Sequence, residues 1–127
     1  MSWPTELQAA LDEALPYTGG THRQVDIEIA LATGMMQLWE GDRFFCLTEL
    51  HTAPSGLVFV NLFLAGGEDL QGLRQMYPYI EGWAKSQGAA KIVCLGRYGW
   101  EKTFLTKEEG FRPLLQYYEK DLGGPHG

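Results

Sequence analysis

Three polar side chains in the middle of the chain interrupt apolar runs at strand-like spacing. Glu49 and His51 sit two residues apart near the end of Arg43–His51, and Asn61 falls inside Leu57–Leu64. If these runs form a hairpin with a register symmetric about the loop, Glu49 pairs with Phe59 and Leu47 with Asn61. Glu49, His51 and Asn61 then share one face and lie close together. A carboxylate in such a place can serve as a general base, deprotonating an ammonium directly or through water. The same spacing also suits a polar strand end that faces solvent. A buried amide such as Asn61 must be hydrogen-bonded, so it either satisfies a splayed backbone or orients a ligand. Arg97, between Gly96 and Gly99 after an apolar strand, can grip a phosphate or carboxylate with its planar fork. It can equally pair with Glu101 or an acid on the long helix. Cys46 and His51 point to opposite faces of one strand, so they do not form a thiol–imidazole pair. The two Cys and three His have no metal-ligand spacing.

The elements that must position these groups follow from periodicity. Leu7, Leu11 and Leu15 predict a helix over Thr5–Leu15, with Pro4 in its first turn. Thr21-His22-Arg23-Gln24 reads as a capping box for a second helix with Val25, Ile29 and Ala32 on its apolar stripe and Gly34 just past its end. The period then changes to two. Met35–Trp39, Arg43–His51 and Leu57–Leu64 predict an antiparallel meander, joined by Glu40-Gly41-Asp42 and Thr52–Gly56. Glu68–Gln87 is a long helix with Leu70, Leu73, Met76, Tyr77, Ile80, Trp83 and Ala84 on one face. Pro78 within it predicts a kink or two short helices. Ala90–Leu95 reads as a strand covered on both faces, Trp100–Glu108 as a short helix, and Phe111–Leu122 as a last strand. Trp39, Trp83 and Trp100 fall on apolar stripes and are expected to pack between helix and sheet. The expected architecture is α/β (α+β): one mixed, mostly antiparallel central sheet flanked by helices, in a single domain over residues 1–122 with a disordered tail over 123–127.

Composition bounds the function. The chain has 127 residues, 45% of them hydrophobic, and 16 acids against 10 bases give a net charge of −6. One domain of this size buries most of its apolar surface, and the acidic balance argues against nucleic acid as a partner. No apolar run approaches the length of a membrane span, and Met1-Ser2-Trp3-Pro4 lacks the basic start of a signal peptide. Cys46 and Cys94 both sit in apolar runs and are expected to be reduced and buried, which points to the cytoplasm.

Leu57–Gly67, Ile80-Glu81-Gly82-Trp83-Ala84, Gly96-Arg97-Tyr98-Gly99-Trp100, and Gly110-Phe111 followed by Tyr118–Leu122 together resemble the GNAT N-acetyltransferase superfamily. Met36-Gln37-Leu38-Trp39, Leu64-Ala65-Gly66-Gly67 and Gly96–Trp100 resemble, more narrowly, small acetyltransferase-like proteins encoded in phages and prophages. The resemblance implies an acyl-CoA N-acyltransferase-like fold with acetyl-CoA as cofactor. The thioester would lie where the third strand parts from the next parallel one. The pyrophosphate would rest on Leu64, Ala65, Gly66 and Gly67 with Leu70 just inside the helix, and Arg97 would assist. Glu49, with Asn61, would be catalytic, and the acceptor a small-molecule or protein amine. A second copy of the chain or a phage protein would be the macromolecular partner.

The chain departs from the family pattern in three places. The turn Ala65–Gly72 lacks the Arg/Gln-x-x-Gly-x-Gly/Ala pattern, and Glu68 and Asp69 put carboxylates near the phosphates. Thr106 stands where many members carry a Tyr general acid, four residues before Gly110. Gly96-Arg97 replaces the usual Asn after the parallel strand. The resemblance therefore implies either an active N-acetyltransferase or an inactive binding or assembly protein of phage or prophage origin on the same fold.

Overall fold

The computed structural model describes residues 2–68, 71–95 and 103–123. The chain divides into two compact units, 1–94 and 95–127, and each is described by itself. Among the described residues no helix is long and apolar enough to cross a membrane.

The first unit begins with a 3-10 turn over Thr5–Leu7 that leads into α1 (Gln8–Ala14), and a second 3-10 turn follows over Leu15–Thr18. α1 ends at Ala14, and Pro16 sits at the start of the turn that follows, where its missing N–H is not needed. Leu7, Leu11 and Ala14 are buried. The second helix, α2 (Gln24–Ala32), corrects two expectations. Its N-cap is Arg23, whose backbone N–H donates to Asp26 Oδ2 at 2.8 Å, while the Thr21 hydroxyl turns back to the carbonyl of Thr18. Its inward residue is Ile27, supported by Ala30 and Leu31, and Val25 and Ile29 face outward. The helix is apolar on several sides, so its pattern did not select which stripe meets the core.

The predicted mixed sheet is present. β1 (Gln37–Gly41), β2 (Phe44–Thr52) and β3 (Val58–Gly67) are antiparallel neighbours, and β4 (Lys91–Cys94) pairs with β3 in parallel, in the order β1-β2-β3-β4. Two consecutive phenylalanines on β2 show how the faces divide. Phe45 joins Trp3, Leu7, Leu11, Ala14, Ile27, Met36, Leu47 and Leu64 in the core under α1 and α2. Phe44 points the other way, toward α3 (Gln71–Ser86). α3 buries Leu73, Tyr77, Ile80 and Ala84, and its Trp83 meets Trp39 edge-on with ring centroids 5.6 Å apart. Pro78 does not split it; the helix is continuous, with Pro78 and Arg74 both on its exposed side. There the lost backbone bond faces water instead of a packed neighbour. β4 is half-buried instead of covered on both faces, with Lys91 exposed.

The hairpin register also differs from the symmetric one. The loop closes through Ala53 N–H to the Leu57 carbonyl at 2.8 Å, so Glu49 faces Asn61 and His51 faces Phe59. The slip is by two residues, which preserves the face of every side chain but changes each partner. A bulge then intervenes: Leu47 faces Leu64 and Thr48 faces Leu62, leaving Phe63 as the extra residue.

In the second unit, α4 (Phe104–Lys107) is capped by the Thr103 hydroxyl, which accepts from the Leu105 N–H. Residues 111–123 form neither helix nor strand among the described residues, contrary to the last strand expected over Phe111–Leu122. Leu114, Leu115, Tyr117, Tyr118 and Leu122 are exposed. The apolar residues come as adjacent pairs, so they do not build one buried face, and Pro113 removes a ladder donor.

Candidate active site

Glu49 and Asn61 meet across the β2–β3 ladder. The Asn61 Nδ2 amide donates to Glu49 Oε1 at 2.9 Å, and His51 Nε2 lies 3.2 Å from the same oxygen. A carboxylate can only accept, so His51 carries its proton on Nε2. Its ring stacks on Phe59 with centroids 5.2 Å apart and planes at 23°. The Glu49 side chain is 20% exposed and that of His51 45%. Glu49 is thus neither a freely solvated strand end nor a buried charge. One oxygen is held from two sides, and no hydrogen bond among the described residues engages Oε2. Asn61 satisfies its amide on Glu49, not on a splayed backbone.

The core under α1 and α2 ends at Leu47 and Leu64. Beyond it the same sheet face carries Glu49 and His51 on β2, Phe59 and Asn61 on β3, and Lys91 and Val93 on β4, two to a strand as period two requires. The parallel pairing ends at Leu62 and Cys94, and β3 runs on through Phe63 to Gly67 paired with β2 but, among the described residues, not with β4. The bulge at Phe63 lies at that point, and bulges bend the strand that carries them. Glu49 and Asn61 lie immediately before the parting of β3 from β4.

The residues expected to cradle a pyrophosphate lie at the far end of β3. Leu64, Ala65 and Gly66 are buried and Gly67 is exposed. Gly66 is packed against α1: an added Cβ would stand 2.7 Å from Phe45 Cε1 and 3.0 Å from the Ala10 carbonyl oxygen. Gly67 is equally close to Phe44 and the Arg43 carbonyl. Leu70 and Arg97 lie outside the described residues, as do Tyr98 and Trp100. The Thr106 hydroxyl bonds the Thr103 carbonyl at 3.1 Å within α4.

Sequence reasoning missed two features here. Arg43, at φ 60° in the β1–β2 turn, reaches Glu68 Oε1 at 3.5 Å and so meets a carboxylate at the phosphate end of β3. Lys91 and Val93 line the open face; their alternation was the available signal, hidden because Ala90–Leu95 reads as one apolar run. The thiols are chemically quiet. Cys46 and Cys94 are free; burial pushes Cys46 up to about 12 and raises Cys94, which is half-buried instead of enclosed.

No family model and no curated protein matches the chain. Solved structures do. TTHA1254 from Thermus thermophilus is similar over 80% of this chain and 82% of its own, with a TM-score of 0.58 at 20% identity. A variant of that protein gives a TM-score of 0.61 at 16% identity, over 81% of this chain and 82% of the other. A probable acetyltransferase gives 0.56 at 16% identity, over 78% of this chain and 74% of the other. The fold is acetyltransferase-like. Identities this low establish the fold alone, and chemistry must be argued from the open face of the sheet.

Proposed function

We propose that the protein is an N-acetyltransferase that moves an acetyl group from acetyl-CoA to an amine, with Glu49 as general base. The observation that carries this reading is the Glu49 carboxylate, held by Asn61 and His51 next to the point where β3 leaves β4. The chain's own groups suit such a donor at that place. Beyond Leu62 the β3 edge facing β4 is not paired by it, so backbone groups there can meet an amide-bearing arm. Leu64, Ala65, Gly66 and Gly67 would hold the coenzyme. Acetyl-CoA, when bound, supplies an activated acetyl carbonyl and a thiolate leaving group.

The protein's own part is positioning and proton transfer. Asn61 and His51 fix Glu49 Oε1, which leaves Oε2 to accept a proton from an ammonium on the open face. The amine so freed would form the new N–C bond to the acetyl carbonyl as the C–S bond breaks, its second proton passing to the departing thiolate. The proton on Glu49 Oε2 can leave to water, since the Glu49 side chain is 20% exposed. Free thiols agree with a cytoplasmic setting.

One observation favours a second reading, an acetyltransferase-like binding or assembly protein of phage or prophage origin. Packing alone accounts for Gly66 and Gly67, so no phosphate is needed to explain them. Calorimetric titration with acetyl-CoA separates the two readings. Binding tighter than about 1 mM is expected, and no heat up to that concentration overturns the enzyme reading. Glu49→Gln should lower kcat by about a hundredfold or more with little change in coenzyme affinity, the usual scale of a lost general base.

A further inference from the structure

The open face carries two opposite charges at a spacing set by the sheet. The registers place Glu49, Asn61 and Val93 in one cross-strand row and His51, Phe59 and Lys91 in the next. With strands about 4.8 Å apart and same-face neighbours about 6.8 Å apart along a strand, the Cα atoms of Glu49 and Lys91 are about 12 Å apart. Between them the Phe59 ring floors the surface. Beside it lies a shallow hollow of about 290 Å³ lined by Ala53, Ser55, Leu57, Phe59, Lys91 and Val93. That volume is near the lower end of small-ligand sites, which run from roughly 300 to 1,000 Å³. Lys91 is the cation of this hollow, and among the described residues no carboxylate pairs with it.

We propose that this face takes an ω-amino carboxylate as the acetyl acceptor. The ammonium sits on Glu49, the methylene chain crosses Phe59 beside Val93, and the carboxylate meets Lys91. Each end of such a molecule finds the opposite charge and its middle finds apolar surface, so one ligand satisfies all three parts. Side chains on a strand stand roughly perpendicular to the sheet, so the two charges stay about 12 Å apart, a gap that a five-methylene amino carboxylate fills with a contact of about 2.8 Å at each end. A diamine of the same length would set its second ammonium against Lys91. A simple alkylamine would leave Lys91 unused, and γ-aminobutyrate would not span. The fate of the amine rests on the acetyl-transfer reading, whereas the binding does not.

The test uses the full chain without coenzyme, followed by nuclear magnetic resonance during titration with ε-aminocaproate, γ-aminobutyrate, cadaverine and pentylamine. ε-Aminocaproate should bind about tenfold tighter than cadaverine, with shifts at Asn61, Phe59 and Val93. Lys91→Glu, a change at an exposed position, should reverse that preference. Equal binding of the four probes, binding of none, or an unchanged ranking in Lys91→Glu overturns the proposal. Acetyl-CoA is then added. Selective binding of ε-aminocaproate without its acetylation overturns the enzyme reading and leaves the binding site standing. Acetylation of pentylamine as readily as ε-aminocaproate overturns the site and leaves the enzyme reading standing.

Discussion

Asn61 faces Glu49, and most of the candidate chemistry depends on that pairing. Period two alone put Glu49, His51 and Asn61 on a common face, because a slip by two residues does not change faces. Their contact was not legible. It depends on where the loop closes, and Ala53 and Leu57 settle that by a backbone bond that Pro54, Ser55 and Gly56 do not announce. Lys91 was hidden for a different reason: one Lys at the start of an apolar run looks like a boundary. Cys46 was legible as a small hydrophobe, and its burial has a measurable consequence. Its thiol titrates near 9.0 when unfolded and at about 12 when folded, because burial disfavours the thiolate. The folded state thus holds the proton more tightly. The stability linked to this group is complete below about pH 9 and is lost as pH rises toward about 12, by about 1.4 kcal/mol per pH unit. Urea denaturation at stepped alkaline pH should show a shallower decline in Cys46→Ala than in the parent, since Lys and Tyr titrate in both.

Elements meet here through missing side chains. Phe45 on β2 fits against Gly66 of β3 under α1, and Phe44 fits against Gly72 of α3 on the opposite face. An added Cβ at Gly72 would stand 2.6 Å from both Cβ and Cγ of Phe44, atoms that cannot swing away. Gly66→Ala and Gly72→Ala should each cost about 1–3 kcal/mol in chemical denaturation, the usual penalty of overpacking. Wild-type stability for either variant would show that the helix can lift without loss. The meander and the long helix were readable because each has one dominant period, and the strand after the helix because it is a short apolar run. The buried face of α2 was not, since Val25, Ile27, Ile29, Ala30 and Leu31 surround the helix and only its place in the buried core chooses Ile27. The segment over Phe111–Leu122 carries strand-forming residues, yet β structure depends on a paired neighbour more than on residue type.

At the scale of the whole molecule, charge opposes the proposed coenzyme. A net charge of −6 repels the phosphates of acetyl-CoA at long range, while any backbone contacts act at short range. Raising the ionic strength from about 0.01 M to about 0.15 M shortens the screening length from about 30 Å to about 8 Å. Acetyl-CoA affinity should therefore increase over that interval in calorimetry. A decrease would mean that local cations such as Arg43 govern binding instead. Overall architecture was legible further than the site was. The order of elements and their faces follow from local periodicity, whereas the site depends on the register between strands distant in sequence and on one bulge.

That bulge sits at a single residue. Leu47 with Leu64 and Thr48 with Leu62 would form an unbroken ladder, with every side chain on its present face, if Phe63 were absent. Loss of one codon would therefore leave Glu49, His51 and Asn61 in their present register, at the cost of the Phe63 ring that packs against the core and against His22. It would straighten β3 at the point where its pairing with β4 ends. A lineage could in this way remove or restore the bend there, by one codon lost or gained, without altering any residue that does chemistry.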